Sequence, residues 1–138
     1  MSFLNSPRRD DILLREAGVS LDRALFPLLM RLGMAGSLSV GDLADQVGRD
    51  HTTVSRQLAK LESLGLVGRR EGPDRRVKAA TLTPAGGAMV QSLTDARRRL
   101  LDAALADWPR ADRDALADLN RRFVDALVET TTTRGDQR

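Results

Sequence analysis

The chain has 138 residues and a formal net charge of +3, with 41% hydrophobic and 30% charged side chains, which is typical of one globular domain with or without dimerising extensions. It contains no cysteine, which excludes disulfides, cysteine metal sites and thiol catalysis. His51 is the single histidine, and only four side chains are aromatic. This composition argues against a histidine-rich metal site and against a base-stacking surface for single-stranded nucleic acid.

The sequence also bears on location. No stretch approaches the roughly 18 apolar residues of a membrane span. The N-terminal segment, Met1 to Arg9, has no apolar core of the signal-peptide type. We therefore expect a cytoplasmic protein with no membrane partner.

Charge is distributed unevenly. Residues 49–78 hold eight basic and four acidic side chains, a net charge of +4. The other 108 residues hold 14 basic and 15 acidic side chains, a net charge of −1. A basic segment on a nearly neutral body is typical of proteins that bind a polyanion. Chance clustering on a solvated surface is the alternative.

Leucine spacing predicts helices in the first part of the chain. A short helix is expected over residues 8–17, ended by Gly18. A leucine stripe over residues 21–32 predicts a second helix, which Pro27 kinks or makes start near Phe26. The stretch from Gly33 to Gly36 is expected to break this pattern.

The next segment predicts a helix-turn-helix. Ser39 and Asp42 resemble a capping pair at the start of a short helix that Gly48 closes. Asp50 can then cap another helix that runs to about Leu64. Two short helices joined through residues 48–50 have the spacing of this motif.

The second of these helices has two distinct faces. Val54, Leu58 and Leu61 lie within about 60° on a helical wheel and are expected to point into the core. The opposite face carries hydroxyls and bases and no acid, and these side chains donate to phosphates and base edges. This face favours DNA binding, with an ordinary solvent face as the alternative. Its members are Thr52, Thr53, Arg56, Lys60 and Ser63, flanked by Ser55 and Gln57.

A β-hairpin is predicted directly after this helix. Gly65 ends the helix, a strand starts at Leu66, and residues 71–76 have the composition of a turn. A return strand would run from about Val77 to Leu82. This order predicts a winged helix, in which arginines at the hairpin tip reach the minor groove. The alternative is a structural hairpin with solvated arginines.

Two further helices are predicted in the C-terminal part. Thr83 caps a long helix that could reach Ala106, and a break at residues 107–109 precedes a last helix that ends near Glu129. The apolar stripes of the N-terminal and C-terminal helices exceed what one winged domain can cover. We therefore expect a homodimer joined by helices.

Five short motifs, in this order and with these gaps, resemble the MarR family of transcriptional regulators. They are Ser39-Val40-Gly41-Asp42-Leu43-Ala44, Thr52-Thr53-Val54-Ser55-Arg56, Leu61-Glu62-Ser63-Leu64-Gly65-Leu66-Val67-Gly68-Arg69, Asp74-Arg75-Arg76 and Leu82-Thr83-Pro84-Ala85-Gly86. The resemblance implies a homodimeric winged-helix protein, usually a repressor, on a pseudo-palindromic operator.

The resemblance also implies which residues bind DNA. The recognition helix would present Thr52, Thr53, Ser55 and Arg56 to the major groove. The D-x-R signature of the family's wing falls on Asp74 and Arg76, so that Arg76 enters the minor groove and Asp74 orients it. Arg75 is expected to share the task of Arg76. On physical grounds we extend the site to three further side chains, which are Gln57, Lys60 and Arg70.

The chain departs from the family pattern at two positions of the return strand. Val77 stands where the family often has a small residue, and Ala80 stands where it usually has a branched one. Both departures are expected to loosen this strand without removing it.

Members of the family commonly bind small aromatic or phenolic effectors between the dimer helices and the winged domain. Candidate pocket walls here are Phe26, Met30, Met34 and Trp108, and plain core packing of these side chains is the alternative. No cofactor is expected.

The predicted fold class is mainly α with a small β-hairpin wing, a winged helix-turn-helix with N-terminal and C-terminal dimerisation helices. We expect a dimerisation segment at 1–20, a DNA-binding domain at 21–83, dimerisation helices at 84–130 and a frayed tail at 131–138. The predicted function is sequence-specific regulation of transcription. A non-specific architectural or protein-interaction module is the alternative, and no enzyme motif is present.

Overall fold

A computed structural model describes residues 7–71 and 78–135. The chain is mainly helical with a small antiparallel sheet, which confirms the predicted fold class. The elements in chain order are α1 (Pro7–Ala17), a 3₁₀ turn (Arg23–Leu25), α2 (Phe26–Ala35), β1 (Ser37–Ser39), α3 (Val40–Val47), α4 (His51–Ser63), β2 (Val67–Glu71), β3 (Lys78–Leu82), α5 (Pro84–Ala104) and α6 (Arg110–Gly135).

Helix α2 starts where Pro27 predicts and ends later than expected. It begins at Phe26 and continues through Gly33 to Ala35, before Gly36 adopts a φ of 84°. The prediction of a break at Gly33 was therefore wrong. A Cβ at Gly33 would lie 2.9 Å from Cγ1 of Val90, so this glycine lets α2 approach α5 closely, and packing outweighs its low helix propensity.

The sheet has the strand order β1-β3-β2 with both pairs antiparallel. Its central strand pairs Ala80 with Leu38 on one side and with Arg69 on the other. Ala80 is fully buried there, so the small side chain is accommodated in a regular strand. Strand β1 was not predicted, because three residues carry no alternation signal and its partner lies some 40 positions away. Residues 72–77, which include Val77 and most of the predicted turn, lie outside the described residues.

The predicted caps of the helix-turn-helix are confirmed. Ser39 Oγ accepts a hydrogen bond from the Asp42 amide at 3.1 Å at the start of α3. Gly48 closes α3 with a left-handed φ of 68°, which an L side chain rarely adopts. Asp50 Oδ1 then accepts from the Thr53 amide at 2.8 Å and starts α4.

The core lies beneath α4. Val54, Leu58 and Leu61 are fully buried, as the helical wheel predicted. Leucines from the surrounding helices complete this core, and every fully buried large side chain among the described residues is aliphatic. The others are Leu28, Leu29, Leu32, Leu43 and Leu93.

The chain divides into two compact units, residues 1–98 and residues 99–138. In the second unit, Arg113 donates to the Leu105 carbonyl from Nε at 3.0 Å and from Nη2 at 2.6 Å, which ties α6 to the turn before it. Helix α5 ends at Ala104, two residues before the predicted end at Ala106. None of the described helices is both long enough and apolar enough to cross a membrane.

Helix α6 continues to Gly135, six residues beyond the predicted end at Glu129. Residues 131–135 of the predicted tail therefore belong to α6, while 136–138 lie outside the described part. Threonine hydroxyls in this stretch donate to carbonyls one turn back, as Thr130 does to Ala126 at 2.8 Å and Thr133 does to Glu129 at 2.9 Å. These bonds let a polar segment remain helical.

Candidate nucleic-acid interface

The outward face of α4 presents two exposed cations, Arg56 and Lys60. Thr52, Arg56 and Lys60 are exposed, and Ser55 is half-buried. Arg56 and Lys60 lie one helical turn apart, and neither side chain forms a salt bridge or a hydrogen bond within the described parts of the chain. Both charges therefore stay available to an external anion.

Thr53 has a second role that the sequence pattern did not reveal. Its hydroxyl donates to Asp50 Oδ2 at 2.7 Å, while its amide donates to Oδ1 of the same carboxylate. These two bonds, the amide first and the hydroxyl second, lower the pKa of Asp50 below its ordinary value of 3.8, and the charge of Arg56 adds to the effect. Thr53 therefore keeps only its oxygen lone pairs and its methyl group for DNA.

Gln57 is held by an arginine at the edge of the same face. Arg49 Nη1 donates to Gln57 Oε1 at 2.8 Å and to the Ala24 carbonyl at 2.7 Å. The contact joins the turn of the helix-turn-helix, the middle of α4 and the 3₁₀ turn before α2. The sequence predicts Arg49 only as one charge of the basic segment, because no local spacing indicates its contact with Ala24.

The end of α4 is tied to the wing by an ion pair. Arg69 Nε on β2 donates to Glu62 Oε1 at 2.9 Å, with both side chains partly buried. The charge of Arg69 is therefore compensated, whereas Arg70 is exposed on the same strand. The end of α4 and strand β2 thus lie side by side at this point.

Other predicted wing residues cannot be placed in this geometry. Asp74, Arg75 and Arg76 lie outside the described residues. The described part of the hairpin is β2 up to Glu71 and β3 from Lys78.

The predicted effector residues differ in exposure. Phe26 is buried in the core, Met30 is half-buried, and Met34 is 80% exposed at the end of α2. Trp108 belongs to the second compact unit, where it is partly exposed and lines an open groove. The other residues that line this groove are Ala106, Arg110, Arg113 and Asp114.

Comparison with known proteins agrees with this architecture. Residues 20–77 match the family model described as MarR family. The chain is 32% identical over 109 residues to YdgJ of Bacillus subtilis, an uncharacterized HTH-type transcriptional regulator, across 78% of this chain and 66% of YdgJ. The chain thus spans slightly less than two thirds of the length of that relative.

Solved structures share the fold. A MarR family protein from Bacillus stearothermophilus has a TM-score of 0.79 at 21% identity, covering 91% of this chain and 86% of that chain. BpsR of Bordetella bronchiseptica, whose DNA binding is regulated by 6-hydroxynicotinic acid, has a TM-score of 0.58 at 27% identity, covering 86% of each chain. The five motifs and the match of residues 20–77 to the family model identify this part of the chain as a MarR family domain, and the solved structures share the fold of the chain.

Proposed function

We propose that this chain is a sequence-specific transcriptional regulator that binds double-stranded DNA. The observation that carries the proposal is the outward face of α4, where the exposed Arg56 and Lys60 stand beside hydroxyl side chains on a helix with firm caps. Cations and hydroxyls of this kind donate to phosphates and to base edges in the major groove. The relatives named as HTH-type transcriptional regulators support the same role.

The roles within the site follow from chemistry and exposure. Arg56 is the candidate for reading guanine, since its planar fork can donate to O6 and N7 together. Thr52 and Ser55 read base edges or phosphate. Lys60 and Arg70 are phosphate anchors, because an exposed cation adds affinity without base information.

At the wing tip, Arg76 inserts into the minor groove, Asp74 orients it and Arg75 assists. This part of the proposal rests on the D-x-R signature and on the exposed Arg70 at the base of the hairpin. A narrow A·T-rich minor groove attracts arginine because its negative potential is enhanced.

The active species in this proposal is a homodimer. Helix α6 buries none of its residues, and its apolar side chains remain exposed, with Leu119 at 59% and Phe123 at 62%. Such a stripe on a soluble helix calls for a partner surface. A two-fold dimer would place two recognition helices on half-sites about one DNA turn apart, which is the reason to expect a pseudo-palindromic operator and repression by occupancy.

We further propose release of DNA by a small aromatic or phenolic effector. The support is the resemblance to BpsR, whose DNA binding is regulated by 6-hydroxynicotinic acid. Phe26, Met30 and Met34 remain candidate contacts in the first compact unit, and Trp108 remains a candidate in the second. Titrating hydroxylated aromatic carboxylates into the protein–DNA complex tests this part, and release by none of them would argue against it.

The test of the main proposal is binding to a duplex from upstream of the chain's own coding region, against a scrambled duplex, at several salt concentrations. We expect the upstream duplex to bind at least about 10³-fold tighter, with log K falling linearly with log salt concentration. If both duplexes bind equally, genome-wide occupancy is measured next. Equal occupancy of all sequences across the genome would favour an architectural role. Binding to neither at low salt would overturn the proposal.

A further inference from the structure

The contact between Arg49 and Gln57 constrains which atoms of Gln57 can face DNA. A guanidinium has donors only, so the amide atom that receives the 2.8 Å bond from Arg49 Nη1 must be the oxygen, Oε1. The same nitrogen donates to the Ala24 carbonyl at 2.7 Å, which holds the arginine against the body of the domain. The bond from Arg49 therefore fixes the orientation of the Gln57 amide, so that Oε1 faces the arginine and Nε2 does not.

The position of Gln57 makes this orientation relevant to DNA. Gln57 is half-buried and lies one turn after Thr53, between the buried stripe of α4 and its outward face. A free glutamine pairs with adenine by two bonds, accepting from N6 through Oε1 and donating to N7 through Nε2. Oε1 has two lone pairs, and Arg49 uses one of them, so the pairing with adenine must share this oxygen with the arginine.

We propose that Arg49 is a positioning residue that weakens Oε1 of Gln57 as an acceptor, so that Gln57 reads chiefly through its donor Nε2 and selects guanine or thymine over adenine in the major groove. Guanine presents N7 and O6 as acceptors and thymine presents O4, whereas adenine offers one acceptor beside a donor. The Nε2 hydrogens match the first pattern. This inference rests on the proposed function, since it assigns a base preference to a helix that must first bind DNA.

Selection of bound sequences from a randomised duplex library tests the inference. Gln57→Leu identifies the base position that Gln57 reads, as the position where its selected preference disappears. In the unsubstituted protein we expect guanine or thymine at this position, favoured over adenine by about three- to tenfold, the size of one net hydrogen bond. Arg49→Leu frees Oε1 and should move the preference at this position toward adenine by a similar factor.

Gln57→Glu is the matched control. The glutamate has nearly the same shape and keeps a partner for Arg49, but it has no donor hydrogens. It should lose the preference for guanine or thymine while its melting temperature stays near that of the unsubstituted protein. Combining Gln57→Leu with Arg49→Leu should yield no adenine preference, which separates the effect on Gln57 from a general tilt of α4.

Three results would overturn the inference and leave the proposed function standing. They are a wild-type preference for adenine at the position that Gln57 reads, no change of preference in Arg49→Leu, and an equal loss of affinity for all sequences in Gln57→Leu. A library from which the unsubstituted protein selects no sequence would instead overturn the proposed function, and the inference with it.

Discussion

Neighbouring side chains on α4 differ in what they can still offer to DNA. Thr53 and Gln57 are each bound by a partner within the chain, Asp50 and Arg49 respectively. Arg56, between them in sequence, makes no such bond and is exposed. At the residue scale, we therefore expect Arg56 to carry the largest direct share of base discrimination.

Arg56→Ala should weaken binding to the preferred operator by about 1–3 kcal/mol and relax the sequence preference at one position of each half-site. The reason is the loss of a bidentate contact with guanine. Fluorescence anisotropy with the operator and with single-base variants measures both effects.

Lys60→Ala is the control on the same face. It should weaken binding to all duplexes by the same factor and lower the magnitude of the slope of log K against log salt concentration by about 1. If Arg56→Ala shows this behaviour instead, Arg56 is a phosphate anchor and the assignment of base reading is wrong.

Asp50 links the stability of α4 to pH. Hydrogen bonds from the Thr53 amide and hydroxyl lower the pKa of Asp50, so the folded state favours the ionised carboxylate. The stabilisation is fully present above the ordinary value of 3.8 and is lost as the pH falls through the lowered pKa. We expect urea midpoints of the unsubstituted protein to exceed those of Asp50→Asn at neutral pH, with the gap closing in acid. A gap that does not vary with pH would contradict the prediction.

At the scale of elements, local signals predicted the helix-turn-helix well and tertiary contacts decided the rest. The caps at Ser39 and Asp50 and the glycine at Gly48 act within one turn of chain, so the sequence displays them directly. Strand β1 depends on its pairing with β3, and the continuation of α2 past Gly33 depends on packing against Val90. No periodicity within either segment contains that information.

The same division applies to the candidate site. The outward face of α4 could be read from 3.6-residue periodicity, because the buried stripe fixes its opposite side. The bonds from Arg49 to Ala24 and from Arg69 to Glu62 could not, since each joins residues of different elements. These partners determine which predicted side chains remain available, and only the tertiary structure supplies them.

The first turn of α5 packs against the backbone just before β2, at Leu66, and this contact leaves no room for a side chain at Gly86. A Cβ there would overlap the Leu66 carbonyl oxygen and lie 3.2 Å from Cδ2 of Leu82. Because backbone cannot give way as a flexible side chain can, Gly86→Ala should lower the free energy of unfolding by about 1–3 kcal/mol. Chemical denaturation measures this change.

Gly87→Ala provides the comparison, since a Cβ at Gly87 meets nothing within 4 Å. It should leave stability unchanged or raise it by about 0.5–1 kcal/mol through helix propensity. Equal effects of the two substitutions would show that the close approach at Gly86 is not what requires glycine.

At the scale of the whole molecule, exposed apolar surface is concentrated on α6. Leu13 and Leu14 of α1 are already buried within the chain, as are Leu93 and Ala96 of α5. The stripe on α6 is uncovered along its length, with Leu116, Leu119, Phe123 and Leu127 on one side. The predicted surplus of apolar surface therefore lies mainly at the C-terminal end of the chain.

Phe123→Asp places a charge in the middle of this stripe. We expect it to weaken self-association by at least about 2 kcal/mol, roughly 30-fold, and to reduce operator affinity with it. Sedimentation equilibrium and light scattering measure the mass. Arg122→Asp introduces the same side chain about 100° around the helix and should leave the dimer intact. A dimer that survives Phe123→Asp would place the interface elsewhere.

The contact between Leu66 and the first turn of α5 also affects local unfolding of the domain. The Thr83 amide donates to the Leu66 carbonyl at 3.0 Å, and its hydroxyl donates to the Gly65 carbonyl at 2.6 Å and accepts from the Gly86 amide at 3.1 Å. Thr83 thereby joins the turn that follows α4 to the first turn of α5. The amide protons of these two segments should exchange with solvent in a single cooperative event, at one common opening free energy, so that the turn after α4 cannot open while the first turn of α5 stays folded.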